Sequence, residues 1–386
     1  MKKKLLLAGA ATLAVSPVAA AYAQDGEHEH IDDEIIVTSS PIAHPEHESI
    51  IAASVLTGSD LASRGEASIG ELLRQEPGIS STFFGPAASR PIIRGLGGDR
   101  ISVLDAGIGS IDAAAVSDDH AVAVEPATAE RIEIIRGAAT LYYGSSAAGG
   151  VVNVFDGRIP DNEPEGGIDG ALRTSLGTGD DSVEAAGGFD ALIGKFGDTS
   201  LVFHGEGYYR DTEDYDIPGF AESDVLRAAE EAEEHEHEDE DEHEHEHEEE
   251  AFGSTPNTAL TAKGGSAGAS LIFPDGFIGV AAKISRSRYG VPGHHHHEEE
   301  GEEDHEHEHE HEGEEEDVRI DLEQERYDLM GEFNKPFLFI EQTKIRLGYA
   351  DYTHQELEGD EVGTTFNNEG IQGRVEFVEK QFGNFR

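Results

Sequence analysis

The chain has 386 residues, 81 acidic against 27 basic side chains, a formal net charge of −54, no cysteine and only two methionines. That charge excludes nucleic acid or an anionic lipid surface as the main partner, because binding phosphate rests on Lys and Arg. Without cysteine there is no disulfide, no thiolate zinc site and no cysteine nucleophile, and nothing soft enough to build a Cu(I) site.

Lys2, Lys3 and Lys4 form a basic n-region, Leu5 to Val15 an apolar h-region, and Ala21-Tyr22-Ala23 places small residues where a signal peptidase reads them. Residues 1–23 are therefore expected to be a signal peptide for export. No later stretch reaches 18 apolar residues, which excludes a spanning helix but leaves a β-barrel open. Residues 24–49 read as a polar linker. Within it Asp33 to Ser39 is a β-branched run between acids and serines, either a first strand or a segment that a partner captures by strand addition.

Residues 50–160 have the pattern of a small α/β unit. An amphipathic helix is expected over Ile69 to Gln75, ended by Pro77-Gly78, with short strands at Ile101 to Leu104 and Arg131 to Arg136. Gly95-Leu96-Gly97-Gly98 lacks the third glycine and the following helix of a dinucleotide loop, so nucleotide binding there is rejected.

Residues 161–386 change to a period of two. Leu201, Phe203, Gly205, Gly207 and Tyr209 alternate with Val202, His204, Glu206 and Tyr208, as in a strand with an apolar outside and a polar lumen. Eight strands are expected, near 168–176, 182–192, 199–209, 261–273, 277–289, 319–333, 341–355 and 370–380. Links after the second, fourth and sixth are short and those after the third, fifth and seventh long, which puts loops 210–260 and 291–318 on one side, the cell exterior. Tyr208, Tyr209, Tyr289, Phe333, Phe337 and Tyr352 fall near strand ends, as an aromatic girdle would.

Those two loops hold 13 of the 20 histidines, interleaved with glutamate: His235, His237, His243, His245 and His247 in the first, and His294, His295, His296, His297, His305, His307, His309 and His311 in the second. Imidazole and carboxylate are ligands for borderline divalent cations, with a solvated low-complexity loop as the bland alternative.

The stretch Arg90-Pro91-Ile92-Ile93-Arg94-Gly95-Leu96-Gly97-Gly98-Asp99-Arg100, then Glu130 to Gly137, Leu141 to Ser145 and Gly149 to Val154, resembles the plug domain of TonB-dependent outer-membrane receptors. Ser117-Asp118-Asp119-His120, Gly157-Arg158-Ile159-Pro160 and Tyr289-Gly290-Val291-Pro292-Gly293, with the His-rich loops, resemble its zinc-uptake branch. The resemblance implies an α+β plug followed by antiparallel transmembrane barrel strands, about eight of an expected twenty-two. Such a barrel would not close around a plug, so residue 386 reads as a truncation, with a small eight-stranded barrel as the alternative.

The same resemblance implies a Gram-negative outer-membrane receptor, not an enzyme, with no catalytic cofactor. Its cargo would be Zn²⁺, with Ni²⁺, Cu²⁺ or Co²⁺ as alternatives. Loop histidines would gather ions loosely, and Asp119 and His120 would form a tighter site, with Glu356, Glu358 or His354 as a barrel ligand. Glu34, Ile35, Ile36, Val37 and Thr38 would be the TonB box, pulled by the TonB–ExbB–ExbD complex. Partners are then a divalent ion, that complex and outer-membrane lipid, with no nucleic acid. A siderophore or metal-chelate receptor, and a surface metal-buffering barrel without transport, remain open.

Overall fold

The computed structural model describes residues 36–37, 44–45, 53–137, 140–228, 251–293, 317–359 and 361–380. The signal peptide, Glu34, Ile35, Thr38 and all thirteen tract histidines lie outside the described residues. Of the segment around the expected TonB box, β1 (Ile36–Val37) pairs antiparallel with β2 (His44–Pro45), Ile36 opposite Pro45 and Val37 opposite His44.

The N-terminal unit follows as β3 (Ala53–Thr57), α1 (Gly58–Arg64), α2 (Ile69–Leu73), β4 (Ile79–Ser81), β5 (Pro91–Ile93), β6 (Ile101–Asp105), β7 (Ile108–Gly109), β8 (Arg131–Arg136), α3 (Thr140–Tyr143) and β9 (Gly150–Phe155). Five of the strands form a mixed sheet in the order β3-β8-β9-β6-β7, parallel only between β6 and β9. Its core is aliphatic, with Leu61, Ile69, Leu72, Leu73, Ile93, Ile132, Ile134 and Val152 buried together. The helix expected over Ile69 to Gln75 is shorter and wholly buried rather than amphipathic. Glu71 can be inside because the Ser81 hydroxyl donates to its carboxylate at 2.5 Å.

Next come β10 (Ile168–Leu176), β11 (Val183–Phe196), β12 (Thr199–Thr212), the short hairpin of β13 (Asp216–Phe220) with β14 (Phe252–Ser254), then β15 (Leu260–Phe273), β16 (Gly276–Gly290), β17 (Val318–Phe337), β18 (Ile340–Glu358) and β19 (Glu361–Glu379). Apart from β13 and β14, these eight form one antiparallel sheet in chain order, matching the eight expected strands. The sheet's first and last strands, β10 and β19, are not paired with each other. Side chains alternate as the sequence implied: His204, Tyr208 and Arg210 of β12 are buried on the lumenal face, while Leu201 and Tyr209 point outward.

Two expectations are corrected. The link after the seventh strand is residues 359–360, not a long loop, because β18 and β19 continue as a paired hairpin out to Glu358 opposite Glu361. The aromatic girdle is only partly present. Tyr209 and Phe337 are exposed on the outside, but Tyr208, Tyr289 and Tyr352 have the opposite parity and pack inward.

These inward tyrosines, with Leu260, Ile320 and Leu322, pack against Ala88, Ala113, Ala121, Ala123 and Ala127 of the N-terminal unit. Alanine lets that unit come close to the wall. Gly268 serves the same end from the wall side, since a Cβ there would collide with the Arg158 carbonyl oxygen. Arg158 itself is 2 % exposed and joins the two layers: its guanidinium meets Asp105 at 2.6 Å, Asp156 at 2.7 Å and Asp328 of β17 at 2.9 Å. Lys283 Nζ lies 3.0 Å from Asp156, and Arg326 Nε 3.0 Å from Asp328. Three cations and three carboxylates thus share one buried network. Burial alone would raise the Asp156 pKa, but Arg158 and Lys283 outweigh it and hold the carboxyl well below the usual range.

Candidate metal centre

Ser117 to Ala121 form a turn between β7 and β8 that reaches the barrel wall at the end of the sheet where the tract loops leave it. Inside the turn the Ser117 hydroxyl donates to the Asp119 carboxylate. Tyr289, at the end of β16, clamps it: its hydroxyl accepts from the Ala121 amide at 2.8 Å and donates to the Asp119 carbonyl at 3.2 Å. Asp112 supports the same loop, its carboxylate accepting from the Ala114 and Ala123 amides at 3.1 Å each. The backbone is therefore fixed where His120 is held.

His120 is 1 % exposed. Its Nδ1 lies 3.0 Å from the Ala113 carbonyl oxygen, which can only accept, so Nδ1–H donates there and Nε2 is the nitrogen turned toward the wall. That Nε2 stands 3.0 Å from Glu356 Oε1 on β18. His354, two residues earlier on the same inward face, is fully buried, with Nδ1 3.0 Å from the Tyr352 hydroxyl. Among the described residues its Nε2 has no hydrogen-bond partner, and it lies 3.8 Å from Glu356 Oε1. Phe366 packs edge-on against both imidazoles. The register of β18 with β19 slips between Glu356 and Leu357, making Gly363 an extra residue there. A bulge of this kind re-aims side chains.

The three ligand atoms lie within 4.8 Å of one another. Two donors each about 2.1 Å from a tetrahedral ion are roughly 3.4 Å apart, so the 3.0 and 3.8 Å separations bracket what one ion needs. The buried, unpartnered His354 Nε2 is the observation that fits a cation best, since a buried nitrogen without a partner is costly. His2Glu with an open position suits a borderline divalent ion.

Of the residues read from the sequence, His120 and Glu356 meet. Asp119 is buried beside them but outside the three-residue cluster, its carboxylate engaged by Ser117. Glu358 is exposed at the rim. His354 carries more than the sequence reading gave it, and its signal was parity: Tyr352, His354 and Glu356 alternate inward. The thirteen tract histidines lie outside the described residues, but their anchors do not. Glu356 pairs with Ile320, and Ile320 with Tyr289, the strand ends from which the second tract departs.

Residues 45–151 match the TonB-dependent receptor plug domain family. The N-terminal unit is a plug. A hemin receptor of Yersinia pestis is 31% identical over 155 residues, 38% of this chain and 22% of that protein. Among solved structures, the copper transporter OprC superposes with a TM-score of 0.60 at 13% identity, covering 86% of this chain and 44% of its own. The ferric enterobactin receptor of Pseudomonas aeruginosa gives 0.52 at 16% identity, covering 88% and 46%. The chain thus spans less than half the length of these relatives. At such identities the structural likeness establishes the fold: a plug followed by antiparallel strands of a β-barrel, not closed among the described residues.

Proposed function

We propose that this chain works in a TonB-dependent outer-membrane receptor that captures a divalent metal ion, zinc foremost, and delivers it to the periplasm. The observation that carries the reading is the meeting of His120 from the plug with His354 and Glu356 from the wall. A ligand set divided between plug and barrel is dismantled when the plug moves, so displacement of the plug would release the ion. Histidine–glutamate tracts anchored at the same end of the sheet would raise the local cation concentration above it. Energy would come from the TonB–ExbB–ExbD complex acting on Ile35 to Thr38. Among the described residues two pairs join β1 to β2, and a partner strand would compete for that pairing.

The hemin-receptor relative favours a second reading, uptake of a metal chelate. A bare ion needs the three converging donor atoms, whereas a chelated metal is already ligated. Uptake of radioactive zinc by metal-starved cells, with hemin or a ferric siderophore as competitor, separates them. Unlabelled Zn²⁺ alone should compete; competition by the chelates would overturn the zinc reading.

A further inference from the structure

Below the metal ligands, wall side chains grip one continuous stretch of plug backbone. The carbonyls of Gly109, Ser110, Ile111 and Asp112, four in succession, all accept from the wall: Gly109 from Arg326 at 3.0 Å, Ser110 and Ile111 from the Gln324 amide at 3.0 Å each, and Asp112 from Asn368 at 2.8 Å. The next carbonyl, that of Ala113, is the one that takes His120 Nδ1–H. A regular strand alternates its carbonyls between two sides, so four turned to one wall require an irregular backbone. The irregularity falls on Ile111, whose φ of 55° is one that β-branched residues rarely adopt. Such a conformation persists where surrounding contacts over-determine it. Gln324 supplies that hold, since it grips the carbonyls on either side of the Ile111 Cα. Gly370 leaves space for the Ile111 side chain, because a Cβ there would lie 2.9 Å from Ile111 Cγ2.

Gln324, Tyr352 and Asn368 are one cross-strand row of β17, β18 and β19, and the next row toward the tract loops is Leu322, His354 and Phe366. The two outer members of the lower row turn in to the plug. The middle one turns to the metal site, its hydroxyl 3.0 Å from His354 Nδ1. A phenylalanine ring would serve the apolar cluster around Tyr352 equally well. The hydroxyl is what a ligand histidine needs, a partner on one nitrogen that fixes where the other one faces.

The geometry points to Gln324, Tyr352 and Asn368 as positioning residues of the metal site: Gln324 and Asn368 hold the plug segment that presents the Ala113 carbonyl to His120, and Tyr352 sets the ring of His354. One row of the wall thereby aligns both halves of a site divided between plug and barrel. The inference rests on the metal-uptake reading and adds how its ligands are brought into register.

The test uses the full-length protein in detergent with both histidine tracts deleted, titrated with Zn²⁺ by equilibrium dialysis and with Co²⁺ by visible absorption. One ion per chain, lost in His354→Ala, is expected. Gln324→Leu and Tyr352→Phe should each keep that stoichiometry and weaken the ion by about 10- to 100-fold, with an altered Co²⁺ spectrum. Tyr352→Phe removes a single oxygen and keeps the ring in the core, so it tests the row even if Gln324→Leu misfolds. Adding Ile111→Gly to Gln324→Leu should restore most of the lost affinity, because glycine takes a positive φ without being held there. A loss of packing alone would not be rescued in this way. Unchanged affinity and spectrum in both single variants would overturn the inference while leaving the uptake reading intact, and a loss in Gln324→Leu that Ile111→Gly does not mend would overturn the part played by Gln324. No ion in the tract-deleted parent, or one indifferent to His354→Ala, would end the uptake reading and the inference with it.

Discussion

Arg158 of the plug and Asp328 of β17 meet at 2.9 Å although 170 positions of chain separate them, and both are almost fully buried. Breaking a buried pair from one side strands a charge and costs about 3–5 kcal/mol. Arg158→Ala is expected to loosen the plug by that order, read as faster amide exchange over residues 101–109 and 150–158. Asp328→Ala alone should cost as much, and the double substitution less than the sum of the two, because the surviving partner is no longer left unpaired.

The same network sets an acid limit. Asp156 and Asp105 have depressed carboxyl pKa values: burial opposes the shift, and Arg158 and Lys283 overcome it. A depressed acid contributes stability that is present above its unfolded value of 3.8 and lost as pH falls through the folded one. Plug packing should therefore hold from neutrality down to about pH 4 and fail only below it. Amide exchange of the plug strands at pH 7, 5 and 3 measures this; loosening already complete at pH 5 would contradict the assignment.

Much of this architecture was legible in the sequence. Period-two alternation gave all eight sheet strands, because a lumen on one face and lipid on the other impose it. What failed has physical causes. The largely polar stretch 356–369 reads as loop, yet β18 and β19 stay paired through it, Glu356 opposite Thr364 and Glu358 opposite Glu361. Position near a strand end does not by itself mark a girdle aromatic, since parity separates inward Tyr208 from outward Tyr209. His120 and Glu356 were legible by chemistry and resemblance. The convergence of His354 on them, and the partners of Arg158, required long-range contacts that no local pattern encodes.

Energy coupling is tested at β1. Val37→Pro removes a backbone donor and disfavors strand pairing with a partner. Zinc binding to cells should be unchanged while energised uptake falls at least tenfold, measured with radioactive zinc. Wild-type uptake would contradict a role for this segment.

Deleting residues 230–250 and 294–316 should lower zinc capacity and slow uptake at scarce metal, leaving the barrel folded. Histidine binds metal only when neutral, and its reference pKa is about 6.5. A peptide spanning His294 to Glu312 should therefore lose most of its Zn²⁺ affinity between about pH 7.5 and 5.5, while carboxylate-only binding would persist. A pH-independent affinity would show that the glutamates hold the ion.

The central claim is that His120, His354 and Glu356 hold one ion between plug and barrel. Zinc K-edge absorption on the tract-deleted, full-length protein addresses it directly. One Zn²⁺ per chain is expected, with two imidazole nitrogens at about 2.0–2.1 Å and a carboxylate oxygen at a similar distance. His354→Ala should remove the ion or cut its affinity by more than 100-fold. A spectrum without imidazole scattering, or one unchanged in His354→Ala, would contradict the account.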